Sequence, residues 1–160
     1  MPERVYVETT IFSFYHDERT SPEVLAMRHW TREWWDHHSQ RYELITSAAV
    51  LAELERGTLP HRDRALTMAA GLPAVPIEPQ IPEIVSVYIE HKVMPADPVG
   101  DALHLALASV HKADYLVTWN CRHLANANKF AHIRRTNALL RLAVPELVTP
   151  LELTGEVDLP

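Results

Sequence analysis

Glycine is scarce in this 160-residue chain: four occur, at Gly57, Gly71, Gly100 and Gly155, all far apart. A G-x-G-x-x-G fingerprint or a P-loop needs them clustered between a strand and a helix, so the usual phosphate cradles are excluded. Cysteine is rarer still. Cys121 stands alone, which excludes an internal disulfide and paired Cys-X-X-Cys zinc spacing. No apolar run approaches the roughly 18 residues a membrane span needs, and no charged-then-apolar leader opens the sequence. A cytoplasmic protein without a membrane partner is the expectation. Acid is missing locally: Tyr115 to Pro145 holds no Asp or Glu, whereas Arg122, Lys129, Arg134, Arg135 and Arg141 fall there. The net charge of −6 argues against a protein that simply coats nucleic acid. A basic segment on an acidic domain is nevertheless the asymmetry expected where a polyanion meets one face. A solvated helix surface is the plainer reading of the same charges.

What is present suffices for one globular core, because 47% of the residues are hydrophobic and only 22% charged. Residues 1–154 read as a single domain and 155–160 as a loose C-terminal tail. Arg4-Val5-Tyr6-Val7 reads as a first strand ending at Glu8-Thr9-Thr10, followed by a short apolar helix or turn. Ser21-Pro22-Glu23 is a helix start, with proline at the first helical position and an acid in the first turn. Glu43-Leu44-Ile45-Thr46 is a second strand, after which Ser47 caps a helix running to Gly57. A short helix spans residues 62–70. Ala74-Val75-Pro76-Ile77 reads as a short strand whose proline suits an edge. Pro82 opens the next helix, with Ile84, Val85, Tyr88 and Ile89 inward.

Asp97-Pro98 then reads as an N-cap and first helical residue. Leu103, Ala106, Leu107 and Val110 recur behind it at helical spacing. Asp101 lies in the first turn of that helix. Tyr115-Leu116-Val117-Thr118 is a buried strand, residues 128–142 are helical, and Glu146-Leu147-Val148-Thr149 is the last strand. Strands alternating with helices predict a three-layer α/β/α sandwich around a mostly parallel sheet.

Ligands collect at the carboxyl ends of such strands, and four polar positions fall there: Glu8 and Asn120 at strand ends, Asp101 at a helix start, Glu53 on the helix after the second strand. Each has a plain reading alone, as a surface residue, a helix-dipole acid or a solvated helix position. Glu55 competes with Glu53, and the two face about 200° apart, so only one can meet a given pocket. Three carboxylates converging within about 5 Å repel by roughly 3 kcal/mol per pair at an effective dielectric near 20, which calls for a cation. Hard oxygen ligands select Mg²⁺ or Mn²⁺ over zinc, and metal activation of water suits phosphoryl chemistry. A histidine metal site is not expected: there is no H-E-x-x-H, and His104 and His111 are two turns apart. Trp30, Trp34 and Trp35 recur at helical spacing, as core or dimer contacts do more often than RNA-stacking platforms.

The order V-Y-V-E-T-T-I, S-A-A-V-L-A-E-L-E-R-G, G-D-A-L-H-L-A-L-A and D-Y-L-V-T-W-N resembles the PIN domain, and in particular is similar to VapC-like toxin ribonucleases. The resemblance implies a Mg²⁺- or Mn²⁺-dependent endoribonuclease acting on RNA, commonly a homodimer and often inhibited by a cognate antitoxin. It carries Glu8 to the family's first acid, Glu53 to its glutamate and Asp101 to its third acid as metal ligands. Asn120 takes a position where many members have aspartate. Thr9 and Thr118 match small hydroxyl residues that support the cluster, and Asp97 is a candidate fourth charge. Glu8 is a methylene longer than aspartate, and Asn120 removes a charge. Those departures leave a rival: a non-cleaving RNA- or protein-binding module on the same fold. A small phosphatase is a second rival, against which stands the lack of a D-x-D strand end.

Overall fold

The computed structural model describes residues 1–97 and 99–154. The expected proline at the first helical position, Pro98, and the expected tail at 155–160 lie outside the described residues. Five strands, β1 (Arg4–Val7), β2 (Glu43–Ser47), β3 (Ala74–Val75), β4 (Tyr115–Val117) and β5 (Glu146–Val148), form one sheet in the order β3-β2-β1-β4-β5. Every pairing is parallel, with Val5 opposite Leu44 on one side and Tyr115 on the other. The sheet expected to be mostly parallel is parallel throughout, because every connection between these strands carries at least one helix. A crossover of that kind returns the chain in the same direction.

Among the described residues eight α-helices flank the sheet and complete the three layers: α1 (Thr9–Tyr15), α2 (Pro22–His37), α3 (Ala48–Arg56), α4 (Arg62–Ala70), α5 (Ile81–Glu90), α6 (Val99–Val110), α7 (Ala127–Leu139) and α8 (Pro150–Leu153). β1 is central and fully apolar in its buried half, with Val5, Tyr6 and Val7 at 0% exposure. The third strand is shorter than expected and stops before Pro76, which cannot donate to a ladder. Ser47 caps α3 as its position predicts, its hydroxyl accepting the Val50 N–H at 3.2 Å. Trp34 is buried in the core and stacks edge-on with Trp35, so the tryptophan row is mainly packing.

The helix α6 departs from the one-sided stripe its periodicity predicts. Asp101, Ala102 and the whole run from His104 to Ser109 are buried, because α6 is packed between the sheet and α5. A polar group on any of its sides therefore needs a partner inside the protein. Scarce glycine leaves a second mark. The helices α5, α6 and α7 each end with a residue in left-handed backbone, Lys92, Lys112 and Arg141, at φ of 58°, 57° and 58°. Val93, Ala113 and Leu142 follow, and their N–H groups reach back to Tyr88, Ala108 and Asn137 carbonyls at 2.8, 2.9 and 2.9 Å. This is the Schellman closure, in which glycine is the usual occupant and a side chain costs about 1 kcal/mol. The cations offset part of that cost against the negative helix ends.

Candidate active site

The chain leaves β1 toward β2 and β3 on one side, then returns to β4 on the other, so the order reverses between β1 and β4. At the carboxyl ends of those two strands lies a cavity of about 580 Å³. Glu8, Thr9, Glu53, Asp97, Asp101 and Asn120 all line it. Thr118 is wholly buried beneath. Glu55 is exposed and is not among the lining residues, which settles the facing of α3. Asp97 is exposed and lies in the segment before α6.

Glu8 follows β1 directly and serves as the N-cap of α1. Its Oε1 accepts the Thr10 N–H at 3.0 Å, and its Oε2 shares that N–H at 3.2 Å. Oε2 also accepts the hydroxyls of Thr10 at 2.9 Å and Thr118 at 2.8 Å. Those hydroxyls in turn accept backbone N–H groups of Trp119 at 2.8 Å and Asn120 at 2.9 Å. The extra methylene of glutamate thus lets the carboxylate fold back over its own helix end. From there it anchors the loop after β4.

Glu53 is held differently. Its Oε2 accepts the Thr9 hydroxyl at 2.7 Å, and its Oε1 lies 2.8 Å from His104 Nε2. The other ring nitrogen of His104 is 2.7 Å from the Tyr6 hydroxyl, which is 2.7 Å from Ser47 Oγ. A buried polar chain therefore runs from the cap of α3 through β1 to the carboxylate on α3. Gly100 faces the same oxygen: a Cβ there would lie 2.8 Å from Glu53 Oε1, inside any tolerated contact. A Cβ there would displace the carboxylate from its place beside His104, so the glycine matters by close approach rather than by φ.

Asp101 completes the set with fewer partners. Oδ1 accepts from Asn120 Nδ2 at 2.8 Å, whereas the buried Oδ2 has no hydrogen-bond partner. Asn120 is fixed by its own Oδ1, which accepts the His123 N–H at 3.1 Å.

Electrostatics follow these contacts. Burial pushes the Glu8 carboxyl up, against the opposing pull of His104 and the hydrogen bonds it accepts. Burial also raises Asp101, with His123 and His104 working the other way. For Glu53 burial acts upward too, but the bond to His104 and its charge prevail and hold the carboxyl low. His104 mirrors this: burial favours the neutral ring, and the Glu53 bond and charge overrule it.

Among the described residues no three His, Cys, Asp or Glu side chains form a ready metal-binding group. The donors nonetheless suit a hard cation. A carboxylate offers about four acceptor positions; Glu8 accepts four hydrogen bonds, Glu53 two and Asp101 one. An orphaned buried carboxylate oxygen is costly unless something outside the protein meets it. An all-oxygen set of Asp101, Glu53 and Glu8 fits Mg²⁺ or Mn²⁺. His104 is a carboxylate partner, and His111 lies 3.4 Å from Glu78.

Two groups escaped sequence reasoning. His104 stands three residues after Asp101, one turn along the same helix, and that spacing was the available signal. Arg56 stands three residues after Glu53 and lines the same cavity. By contrast, no Lys or Arg of the basic segment lines the cavity, although Lys129 feels the charge of Asp101. Lys129 donates to the Val93 carbonyl at 3.0 Å, and Arg134 lies with Glu146 and Glu152 around a separate pocket near β5. Burial pushes the Cys121 thiol up, away from a reactive thiolate.

A sequence profile for the PIN domain matches residues 5–129, a span that includes Glu8, Glu53, Asp101 and Asn120. No curated protein matches the chain.

Proposed function

The chain belongs to the PIN domain family, and from that membership we propose that it is a Mg²⁺- or Mn²⁺-dependent endoribonuclease that hydrolyses RNA phosphodiesters. The observation that carries the reading is the convergence of Glu8, Glu53, Asp101 and Asn120, from four separate elements, on one cavity containing an unpartnered carboxylate oxygen. Asp101, Glu53 and Glu8 are the proposed metal ligands, with Asp97 at the rim. When bound, the ion supplies Lewis-acid activation of water and compensates charge developing on the phosphoryl group. The protein's own part is orientation. Thr9 and His104 hold Glu53, Thr118 and Thr10 hold Glu8, and Asn120 holds Asp101 by Oδ1, leaving Oδ2 without an internal partner.

In this reading the protein is the toxin of a toxin–antitoxin pair, acting as a cytoplasmic homodimer restrained by a cognate antitoxin. A single small nuclease domain suits that role. No helix among the described residues is long and apolar enough to cross a membrane. One observation favours the rival, a non-cleaving RNA- or protein-binding module: Glu8 spends its acceptors inside the protein, and Asn120 contributes no charge. Labelled RNA incubated with purified protein and Mn²⁺ decides between them. Cleavage that EDTA abolishes and Glu53→Gln removes, with Glu55→Gln within about tenfold of the parent, is the expected result. Absence of cleavage with either metal overturns the enzyme and leaves the binding module.

A further inference from the structure

Most arginines of this domain have an evident task. Arg19 pairs with Asp17 at 2.7 Å, Arg64 with Glu18 at 2.9 Å, and Arg4 with Glu43 at 3.4 Å. Arg28 and Arg32 donate to the Asp17 and Tyr15 carbonyls at 2.9 and 2.8 Å. Arg56 has neither an ion pair nor a hydrogen bond with any described residue, although it lines a cavity with four acids. Two ordinary anchors for its guanidinium are taken. The carbonyls at the end of α3 already receive Arg62, whose Nη1 donates to Glu55 O at 3.2 Å and Gly57 O at 3.4 Å. Glu53, three residues before it, feels the Arg56 charge, but its two oxygens are bonded to Thr9 and His104. Arg56 is also the one Lys or Arg among the described residues that lines this cavity, Lys129 reaching Asp101 through its charge alone.

Beside it the cavity wall is apolar and open to solvent, with Ile77 45% and Val99 50% exposed. From this arrangement we infer that Arg56, Ile77 and Val99 form a subsite for the nucleotide next to the scissile phosphate of single-stranded RNA. Arg56 takes its phosphate, and the two aliphatic side chains receive the face of its base. The inference rests on the nuclease reading and deepens it. Residues three apart on a helix lie about 5–6 Å from one another, comparable to the step between successive phosphates of an extended strand. A group one turn beyond Glu53 thus meets the neighbouring phosphate rather than the reacting one. A planar guanidinium suits two phosphate oxygens at once, and an unpaired one has no internal bond to break on binding.

Binding of a fluorescent single-stranded oligoribonucleotide in EDTA separates this from the chemistry, because no cleavage can occur. Arg56→Ala should weaken binding about tenfold, or 1.4 kcal/mol, and reduce the slope of log K against log salt by about 0.7. Arg56→Lys should recover the slope but only part of the affinity. Circular dichroism melts guard against misfolding, which an exposed helix-end position makes a minor concern. With Mn²⁺ added, Arg56→Ala should raise KM while leaving kcat within about threefold. Binding by Arg56→Ala equal to the parent's overturns the subsite even if the enzyme cleaves RNA. A loss on Arg134→Ala instead would return the phosphate to the basic segment and likewise overturn it. Arg56-dependent binding by a parent that never cleaves would sustain Arg56 as a phosphate contact but overturn its place beside a scissile phosphate, together with the nuclease.

Discussion

Glu8 and Asp101 face the same cavity, yet the protein treats them as opposites. Glu8 accepts four hydrogen bonds, caps α1 and organises the loop after β4 through Thr10 and Thr118. Asp101 accepts one and keeps Oδ2 bare in a buried position. A carboxylate whose acceptors are filled from within supports the fold, and one left open is available to a ligand. The cavity therefore grades from structure at the β1 side to reactivity at the α6 side, with Glu53 between. That gradient separates affinity from stability, which a symmetric acidic cluster would not.

The sharpest way to break the comparison is Asp101→Asn. Titration calorimetry with Mn²⁺ should show affinity falling by at least about a hundredfold, or 2.7 kcal/mol, while the melting temperature of the metal-free protein holds or rises. Unchanged affinity would mean that the open oxygen is not where a cation sits. The mirror experiment is Glu8→Gln, where stability should suffer more than binding. An amide can keep both hydroxyls on its one oxygen only by turning its NH₂ toward the Thr10 N–H, so urea unfolding should lose about 1–3 kcal/mol, with Mn²⁺ affinity within about tenfold of the parent. If Glu8→Gln loses metal and keeps its stability, the gradient runs the other way.

Asn120→Asp probes the middle of the effect range. It replaces the donor 2.8 Å from Asp101 with a second acid, so Mn²⁺ affinity should rise by about tenfold at the expense of the metal-free fold. A fall in affinity would show that Asn120 matters as a donor only. The smallest effect concerns pH. Glu8 and Asp101 are raised by burial, and His104 is raised by Glu53 in spite of burial. Each group binds its proton more tightly folded than unfolded, so the stability it contributes is present at low pH and lost as pH rises through its folded value. Glu53, held low, has the opposite sign, and its contribution is lost as pH falls below the ordinary glutamate range. Three against one predicts that the metal-free melting temperature declines from about pH 5 to pH 8. Mn²⁺ should flatten that decline; a rise across the window contradicts the assigned directions.

Much of the architecture is legible in local sequence because its causes are local. Ser47 capping α3, Pro22 opening α2 and the apolar run of β4 each depend on neighbours a few residues away. The four polar positions were legible too, since strand ends and helix starts converge in any parallel sheet. What stayed hidden depends on contacts across the chain. Tyr6, His104 and Glu53 meet over separations of 98 and 51 residues, which no periodicity encodes. The basic segment misled for a related reason: a run of charge in one dimension carries no statement about which face it occupies. Burial around all of α6 was hidden because its polar members, His104 and Ser109, find internal partners that only the fold supplies.

The three helix ends built on Lys92, Lys112 and Arg141 bear on how this domain meets proteases. Trypsin cuts after lysine and arginine, and it needs several residues drawn out in extended backbone through its cleft. All three residues are exposed, so the side chain is on offer, but the left-handed backbone and the closing bond behind it withhold the peptide. Cleavage there must await local opening of the helix end. Trypsin therefore acts on this molecule as a set of three built-in gauges. Nicking after Lys92 reports the end of α5, after Lys112 the turn from α6 into β4, and after Arg141 the approach to β5, each at a rate set by the opening of its own segment.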